Sequence, residues 1–393
     1  MLSSIFLLLS VLSKETGILF SVISIIYIFI FNRKLTYKNS IYIGAILVLY
    51  GILRIHAIGL FLNSEISAPI QKLSFINRAV NMPEIFLFYL KTFIFPYYLA
   101  VSYQWIITKV TISTFVLPFI IDSLFVVSII FLDIKTYKKS VTYFRHFTFF
   151  ALWFILGILF HLQFFALDQT VAERWFYFPI VGLLGMIGVL YEIYKSKLKH
   201  TLVGFIIAII IIVLSLVTFL RSFDWRDNFT LGYHDSRISN SFDLDVLLSS
   251  EYLKMGKYNQ AEYYAEKSVT LFPNMVNYNN LGSVYNTIHK YKKAKEAYMK
   301  SLHYGDFFQT YENLAVVALH YGDQKGNIRF IKNVSLKKYP YNAKLWLCLA
   351  LLEYEQGNKD NAKKEISNAY AIDKSSLVSS AYYTIMNNLP VKN

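Results

Sequence analysis

Long apolar runs fill the first 222 residues of the chain and restrict this half to a membrane fold. A transmembrane helix needs about 20 consecutive apolar residues. Full spans are predicted at 13–31, 40–61, 112–132, 147–166, 176–194 and 203–220. Residues 1–12 form a half-span, and residues 83–100 are predicted as a re-entrant or interfacial helix because Lys91 and Pro96 interrupt them. The chain is therefore predicted to be all-α, with a polytopic transmembrane helical bundle over 1–222.

The composition is typical of a membrane protein and argues against nucleic acid and metal ions as partners. Hydrophobic residues make up 55% of the chain and charged residues 16%, whereas a soluble domain carries about 25% charged residues. The net charge of +14 lies mostly in short loops between apolar segments, so no nucleic acid is predicted as a partner. Cys348 is the only cysteine, which excludes a disulfide within the chain, and no metal site is predicted.

Basic residues concentrate in three loops, 32–38, 133–145 and 195–200. Cytoplasmic loops of membrane proteins are rich in Lys and Arg, so all three are predicted to be cytoplasmic. If residues 83–100 do not cross the membrane, the spans alternate consistently. The C-terminal half is then predicted on the extracytoplasmic side of the plasma membrane.

Ionisable and aromatic residues recur at the predicted outer ends of the spans. Such residues are costly in lipid and usually face a cavity or one another. Taken singly, Lys14–Glu15 also fits an interfacial pair and Glu173–Arg174 a structural ion pair. Their position on one membrane face favours a shared site. The candidate binding residues are Lys14, Glu15, Arg54, Glu173, Arg174 and Tyr177, and the candidate pocket residues are Arg78, Tyr103 and His161.

The C-terminal half repeats itself with a period of about 34 residues, which is typical of a tetratricopeptide (TPR) α-solenoid. Four repeats are predicted over 241–374, after a linker at 223–240 and before a capping helix and tail at 375–393. Small residues let the paired helices approach, and large ones fill the space between them. The residues predicted to pack the repeats are Leu248, Tyr252, Ala261, Leu281, Gly282, Tyr285, Ala294 and Tyr298.

Several short segments occur in an order that resembles a known pattern, and together they span nearly the whole chain. These segments are LSKETG (12–17), LRIHAIG (53–59), INRAVNMPEIFLFYLKTFIFPYYLAVSYQW (76–105), VAERWFYFP (171–179) and DWRDNFTL (224–231), followed by the repeats. The chain resembles the transmembrane and tetratricopeptide-repeat O-mannosyltransferases, which resemble the GT-C glycosyltransferases. The resemblance implies transfer of mannose, or a similar sugar, from a polyprenyl-phosphate carrier to Ser or Thr of a protein.

The residues fit this implied chemistry. Lys14 and Arg174 are cations suited to a lipid-linked phosphate, and positive charge stabilises a departing phosphate. Glu15 and Glu173 are expected to orient those cations, and Tyr177 and Tyr103 to line the sugar or lipid pocket. No bound cofactor is predicted, since the polyprenyl-phosphate-linked sugar is the donor substrate. The predicted partners are this membrane lipid carrier and an acceptor polypeptide held by the repeats.

The catalytic general base is assigned to no residue of this chain. In GT-C enzymes an acidic residue in the first outer loop has that role, and no segment here corresponds to that loop. The outer carboxylates Glu15, Glu65, Asp168 and Glu173 do not match its position. The chain is therefore expected to be the C-terminal part of a split or truncated enzyme, or a non-catalytic relative. Two other functions remain open: a membrane-anchored TPR scaffold for an envelope complex, and an O-antigen ligase or polymerase.

Overall fold

The computed structural model describes residues 2–58 and 67–390, apart from the side chains of Leu2, Glu15 and Ile58. The described residues form helices and turns, and the single pairing of extended residues among them is an isolated antiparallel bridge between Tyr103 and Val171. The predicted all-α fold, with membrane helices followed by a repeat solenoid, is confirmed. The chain divides into two units, Met1–Arg226 with Arg237–Asn240, and Asp227–Ser236 with Ser241–Asn393.

In the described part of the first unit there are eight α-helices. They are α1 (Leu2–Ser13), α2 (Ile18–Phe31), α3 (Thr36–Ile58), α4 (Phe75–Ile94), α5 (Leu117–Lys139), α6 (Val141–His161), α7 (Tyr177–Tyr194) and α8 (His200–Ser222). Within the described residues, five helical segments are long and apolar enough to cross a membrane. These are Arg33–Ala57, Ile112–Lys139, Val141–His161, Glu173–Lys197 and His200–Arg226.

Two of the sequence-based boundaries differ clearly from the structure. The span predicted at 13–31 is helix α2, which has only 14 residues because a 3₁₀ turn, Glu15–Gly17, separates it from α1. At about 1.5 Å per residue, α2 is about 21 Å long and shorter than a bilayer core. The segment predicted at 83–100 is helix α4, which begins at Phe75 and ends at Ile94, before Pro96. The predicted end of the second span, 59–61, lies outside the described residues.

Helices α4 to α7 share the core of the first unit. Tyr89 of α4 is 1% exposed and its ring stacks on Phe176, with centroids 5.3 Å apart. Helices α6 and α7 lie so close that a Cβ atom added at Gly182 would fall 2.4 Å from the backbone nitrogen of Phe154. Small residues permit such approaches between membrane helices. By contrast, no residue of α8 is buried.

The second unit is a series of helix pairs. A short helix, α9 (Asn228–Asp235), precedes them and lies in the segment predicted as a linker. The first two pairs are α10 (Phe242–Lys254) with α11 (Tyr258–Leu271), and α12 (Met275–Thr287) with α13 (Tyr291–Tyr304). The third pair is α14 (Phe308–Ala318) with α15 (Gln324–Phe330), which continues through a π turn into α16 (Leu336–Lys338). The fourth pair is α17 (Ala343–Glu355) with α18 (Lys359–Ile372), and α19 (Ser376–Met386) follows it.

The residues predicted to pack the repeats lie in the interior of the first two pairs. Seven of the eight belong to one buried cluster: Leu248, Tyr252, Ala261, Leu281, Tyr285, Ala294 and Tyr298. The eighth, Gly282, is also buried. A Cβ atom added at Gly282 would lie 2.5 Å from the Tyr298 ring. The close pairing of α12 with α13 therefore depends on this glycine.

Candidate functional site: a cationic cavity in the membrane unit

A cavity of about 470 Å³ opens between the start of α2 and the ends of α6 and α7. Lys14 reaches it from the turn after α1, where the backbone N–H of Lys14 donates to the carbonyl of Ser10 over 3.2 Å. Arg174 reaches it from the 3₁₀ turn Glu173–Phe176 that begins α7. Both side chains are exposed. No Asp or Glu is among the described side chains that line this cavity, so its described lining carries a net positive charge from Lys14 and Arg174.

Aromatic rings form much of the cavity wall. The His161 ring stacks on Trp175 with centroids 5.4 Å apart, and the Arg174 guanidinium lies 6.0 Å from the centre of the Trp175 ring. His161 Nδ1 lies 2.8 Å from the carbonyl oxygen of Gly157. Because a carbonyl only accepts, Nδ1 donates, and Nε2 is left as an acceptor. Tyr177 lines the same cavity and is 79% exposed.

A second cavity, also of about 470 Å³, adjoins the first and is called the apolar cavity because its wall is mainly apolar. Polar side chains also line it, namely Ser3, Ser4, Ser24 and Asn39. Phe20 and Trp153 line both cavities, and their rings meet edge to face with centroids 6.4 Å apart. The rest of the second wall comes mainly from α1, α2 and α3, with Leu7, Ile23 and Ile43 among its residues. The cationic cavity and the second cavity therefore share a wall that these two aromatic rings form.

Glu173 and Tyr103 have a supporting position rather than a place in the cavity wall. Glu173 Oε1 accepts hydrogen bonds from the Tyr103 hydroxyl over 2.7 Å and from the backbone N–H of Ala100 over 2.9 Å. The Thr170 N–H donates to the Tyr103 carbonyl over 3.0 Å, beside the bridge to Val171. These bonds join the loop after α4 to the segment that carries Arg174. Glu173 thus fixes the backbone next to Arg174.

Arg78 is also bound to backbone. Its Nε donates to the carbonyl of Gln163 over 3.0 Å, and its two terminal nitrogens donate to the carbonyls of Leu73 and Phe164. Arg54 lies on α3, where it donates to the Tyr50 hydroxyl over 3.2 Å. Neither arginine lines the cavity. Of the nine candidates, the structure brings four to the cavity, Lys14, His161, Arg174 and Tyr177, and the Glu15 side chain lies outside the described part.

Two buried polar residues that the sequence analysis did not single out hold this region together. Gln163, which is fully buried, donates from Nε2 to the carbonyls of Gln169 and Thr170 and accepts from the Leu167 N–H. Asn81, also fully buried, accepts from the Ile107 N–H over 2.6 Å. A buried loop must satisfy its backbone groups, and these amides do so. Neither residue carries a spacing signal that would have revealed its role.

Comparisons with known proteins identify the repeats. The tetratricopeptide repeat family model matches residues 246–275 and 277–303, which lie within the first two helix pairs. A search of the curated proteins finds no match to the chain. The apolar helices and the repeats together define a membrane-embedded TPR protein. Tetratricopeptide repeats generally mediate binding between proteins, so the second unit is a protein-interaction module.

Proposed function

We propose that this protein is a membrane glycosyltransferase of GT-C type. It takes a sugar, mannose by resemblance, from a polyprenyl-phosphate carrier and transfers it to Ser or Thr of a polypeptide. The observation that carries the proposal is that the cationic cavity lies directly beside a mainly apolar one, with Phe20 and Trp153 in the wall of both. A polyprenyl-phosphate sugar has the same order of parts: a polar head, a phosphate and an apolar chain.

In this proposal Lys14 and Arg174 bind the phosphate. Arg offers a planar fork of donors and Lys a compact charge, and their positive charge stabilises the phosphate as the bond to the sugar breaks. Tyr177 and the stacked His161 and Trp175 rings lie beside the cations and are assigned to the sugar or the first isoprene unit. Leu7, Ile23 and Ile43 surround the rest of the chain. No residue is assigned as the base that activates the acceptor hydroxyl.

The orientation of the enzyme also belongs to the proposal. The basic loops 32–38, 133–145 and 195–200 support a cytoplasmic position for these loops. Transfer then takes place on the extracytoplasmic side, and the repeats bind the acceptor polypeptide there.

The test uses the full chain in lipid nanodiscs and measures binding of polyprenyl phosphate by native mass spectrometry. Loss of one charge-assisted contact costs about 1.5–3 kcal/mol, so Lys14→Ala and Arg174→Ala are each expected to weaken binding about 10-fold to 100-fold. Lys109→Ala is the matched control, because Lys109 is an exposed lysine that does not line the cavity. Sugar transfer to a Ser/Thr peptide is then measured with the same variants.

A TPR scaffold without chemistry is the second candidate, favoured by the family match over 246–303. It predicts that Lys14→Ala and Arg174→Ala leave glycosylation of envelope proteins unchanged, while deletion of residues 241–393 abolishes a protein complex. That combination of results would exclude the enzyme.

A further inference from the structure

Asp122 is a buried carboxyl group inside an apolar span. It lies on α5 within the segment Ile112–Lys139, whose composition suits a membrane crossing. Its side chain is 7% exposed. Within the described part of the chain, its Oδ1 atom is buried and has no hydrogen-bond partner. An ionisable residue within a membrane span is costly and generally has a function.

The charged groups that act on Asp122 come from α4, which packs against α5. They are Glu84 and Lys91, whose Oε1 and Nζ atoms lie 3.2 Å apart. From α6, on the other side of α5, the Phe154 ring packs against Phe125, one turn after Asp122, with centroids 5.7 Å apart. Among the residues that the structure describes, the cluster thus holds two carboxyl groups and one ammonium group. The ammonium is already paired with Glu84.

We propose that Asp122 is a proton-binding site of the membrane unit and carries its proton at neutral pH. A buried carboxylate without a partner has a large desolvation cost, and a second carboxylate nearby adds repulsion. One bound proton removes both costs and leaves Glu84 and Lys91 as a neutral pair. The ligand is a proton rather than a metal ion, because Lys91 already pairs with Glu84 and the described residues contain no group of three or more His, Cys, Asp or Glu that could hold a metal ion.

The position of α4 links this proton to the cationic cavity. Tyr89 lies on α4 between Glu84 and Lys91, and its hydroxyl donates to the Ala172 carbonyl over 3.3 Å. Ala172 precedes Glu173 and Arg174. One helix therefore contacts the proton site on α5 and the segment that carries the phosphate-binding arginine. Loss of the proton is expected to alter the contact of α4 with α5, and so the position of this segment.

Infrared difference spectroscopy of the full chain in lipid nanodiscs tests the proposal. The wild-type minus Asp122→Asn difference at neutral pH is expected to show the C=O stretching band of a protonated carboxyl group. Asp133 on the same helix is the matched control. Its Oδ1 accepts a hydrogen bond from the Thr148 hydroxyl over 2.9 Å, a partner that Oδ1 of Asp122 lacks, so the wild-type minus Asp133→Asn difference should lack that band.

An Asp122→Asn difference that shows only the bands of an ionised carboxylate overturns the proposal. If that variant does not fold, as judged by circular dichroism, Glu84→Gln provides the test instead. Removal of the neighbouring negative charge makes ionisation of Asp122 easier, so the protonated band should disappear at a lower pH than in the wild type. An unchanged titration midpoint rejects the site.

Discussion

The Tyr103 hydroxyl donates a hydrogen bond of 2.7 Å to Glu173 Oε1, across 70 residues of sequence. The two groups are buried or half-buried, and the carboxylate also accepts from the backbone N–H of Ala100. The bond fixes the turn that carries Arg174 to the loop after α4. In this way a residue outside the cavity sets the position of a cation inside it.

Tyr103→Phe removes this bond without a change of shape. Because it leaves a partly buried carboxylate oxygen with one donor fewer, it should destabilise the first unit by about 1–3 kcal/mol. We also expect weaker binding of polyprenyl phosphate, with a smaller effect than Arg174→Ala. Thermal unfolding in nanodiscs measures the first effect and native mass spectrometry the second. Tyr97→Phe is the control, since Tyr97 lies in the same loop and is 72% exposed. Equal melting temperatures for the two variants would contradict the assigned role.

Ser24→Phe should shorten the apolar cavity. Ser24 lines that cavity, and its hydroxyl donates to the Phe20 carbonyl, four residues earlier, over 2.7 Å. A phenyl ring there takes up space assigned to the lipid chain. Affinity for a long-chain polyprenyl phosphate should fall at least about 10-fold, a loss of about 1.4 kcal/mol, while affinity for a short-chain analogue stays unchanged.

Ser123→Phe is the matched control for this experiment. Ser123 makes the equivalent bond to the Phe119 carbonyl over 2.6 Å, on a helix that does not line the apolar cavity. If Ser24→Phe and Ser123→Phe bind both lipids like the wild type, the apolar cavity does not hold the chain. If Ser24→Phe weakens both lipids equally, the effect lies in the cationic cavity.

Gly282→Ala should destabilise the second repeat. The added Cβ atom would lie 2.5 Å from the Tyr298 ring, which is 1% exposed and has no room to move. Overpacking of this kind costs about 1–3 kcal/mol. Faster hydrogen exchange of the backbone amides in α12 and α13 would show this loss of stability. Gly188→Ala in α7 serves as the comparison, because no atom lies within 4 Å of its added Cβ. Wild-type exchange rates in Gly282→Ala would mean that the helix pair is looser than described.

The fourth repeat should lose stability as the pH rises. Burial and the Glu353 carboxylate raise the pKa of Glu365 from 4.5 to about 7, against the opposing effect of Lys332 and Lys364. The folded state therefore binds this proton more tightly than the unfolded state. Its contribution is complete below pH 4.5, declines up to about pH 7 and is absent above. The total change is at most about 3 kcal/mol.

Hydrogen exchange of α18 as a function of pH, corrected for the intrinsic exchange rate, measures this decline. Glu365→Gln should flatten the profile and keep the repeat stable above neutral pH, because an amide has no charge to desolvate. Glu355→Gln, at an exposed position of α17, should retain the wild-type profile. A repeat whose stability increases between pH 4.5 and 7 would show that Glu365 is ionised in the folded state.

The repeats illustrate what could be predicted from the sequence. Leu281, Tyr285 and Ala294 recur at spacings set by helix periodicity, and residues at those spacings must share a face. The same local information predicts the membrane helices, because about 20 apolar residues in succession have few alternatives. Both features depend on neighbours in the sequence, so no knowledge of distant contacts was needed.

The cavity depends on distant contacts and could be predicted only in part. Lys14 and Arg174 were expected together because both follow from charge at the outer end of a span. Glu173 and Arg78 are also charged residues near the outer end of a span, but each of them binds a backbone group of a distant loop. Glu173 binds one 73 residues away in the sequence, and Arg78 binds one 85 residues away. A sequence does not give the distance between such loops. The role of Gln163 could not be predicted for the same reason, because a single amide side chain in a loop belongs to no recognisable sequence pattern.

None of the residues of helix α8 is buried. Its backbone hydrogen bonds are formed within the helix, and its side chains pack against little of the described chain. A segment of this kind is constrained by length and hydropathy, and hardly by the identity of any one residue. Isoleucine, leucine, valine and phenylalanine should therefore replace one another there during evolution without effect on fitness. In related chains α8 should accumulate substitutions much faster than α6 or α7, where Gly182 cannot change, and aligned sequences should diverge most at the helix with the strongest hydropathy.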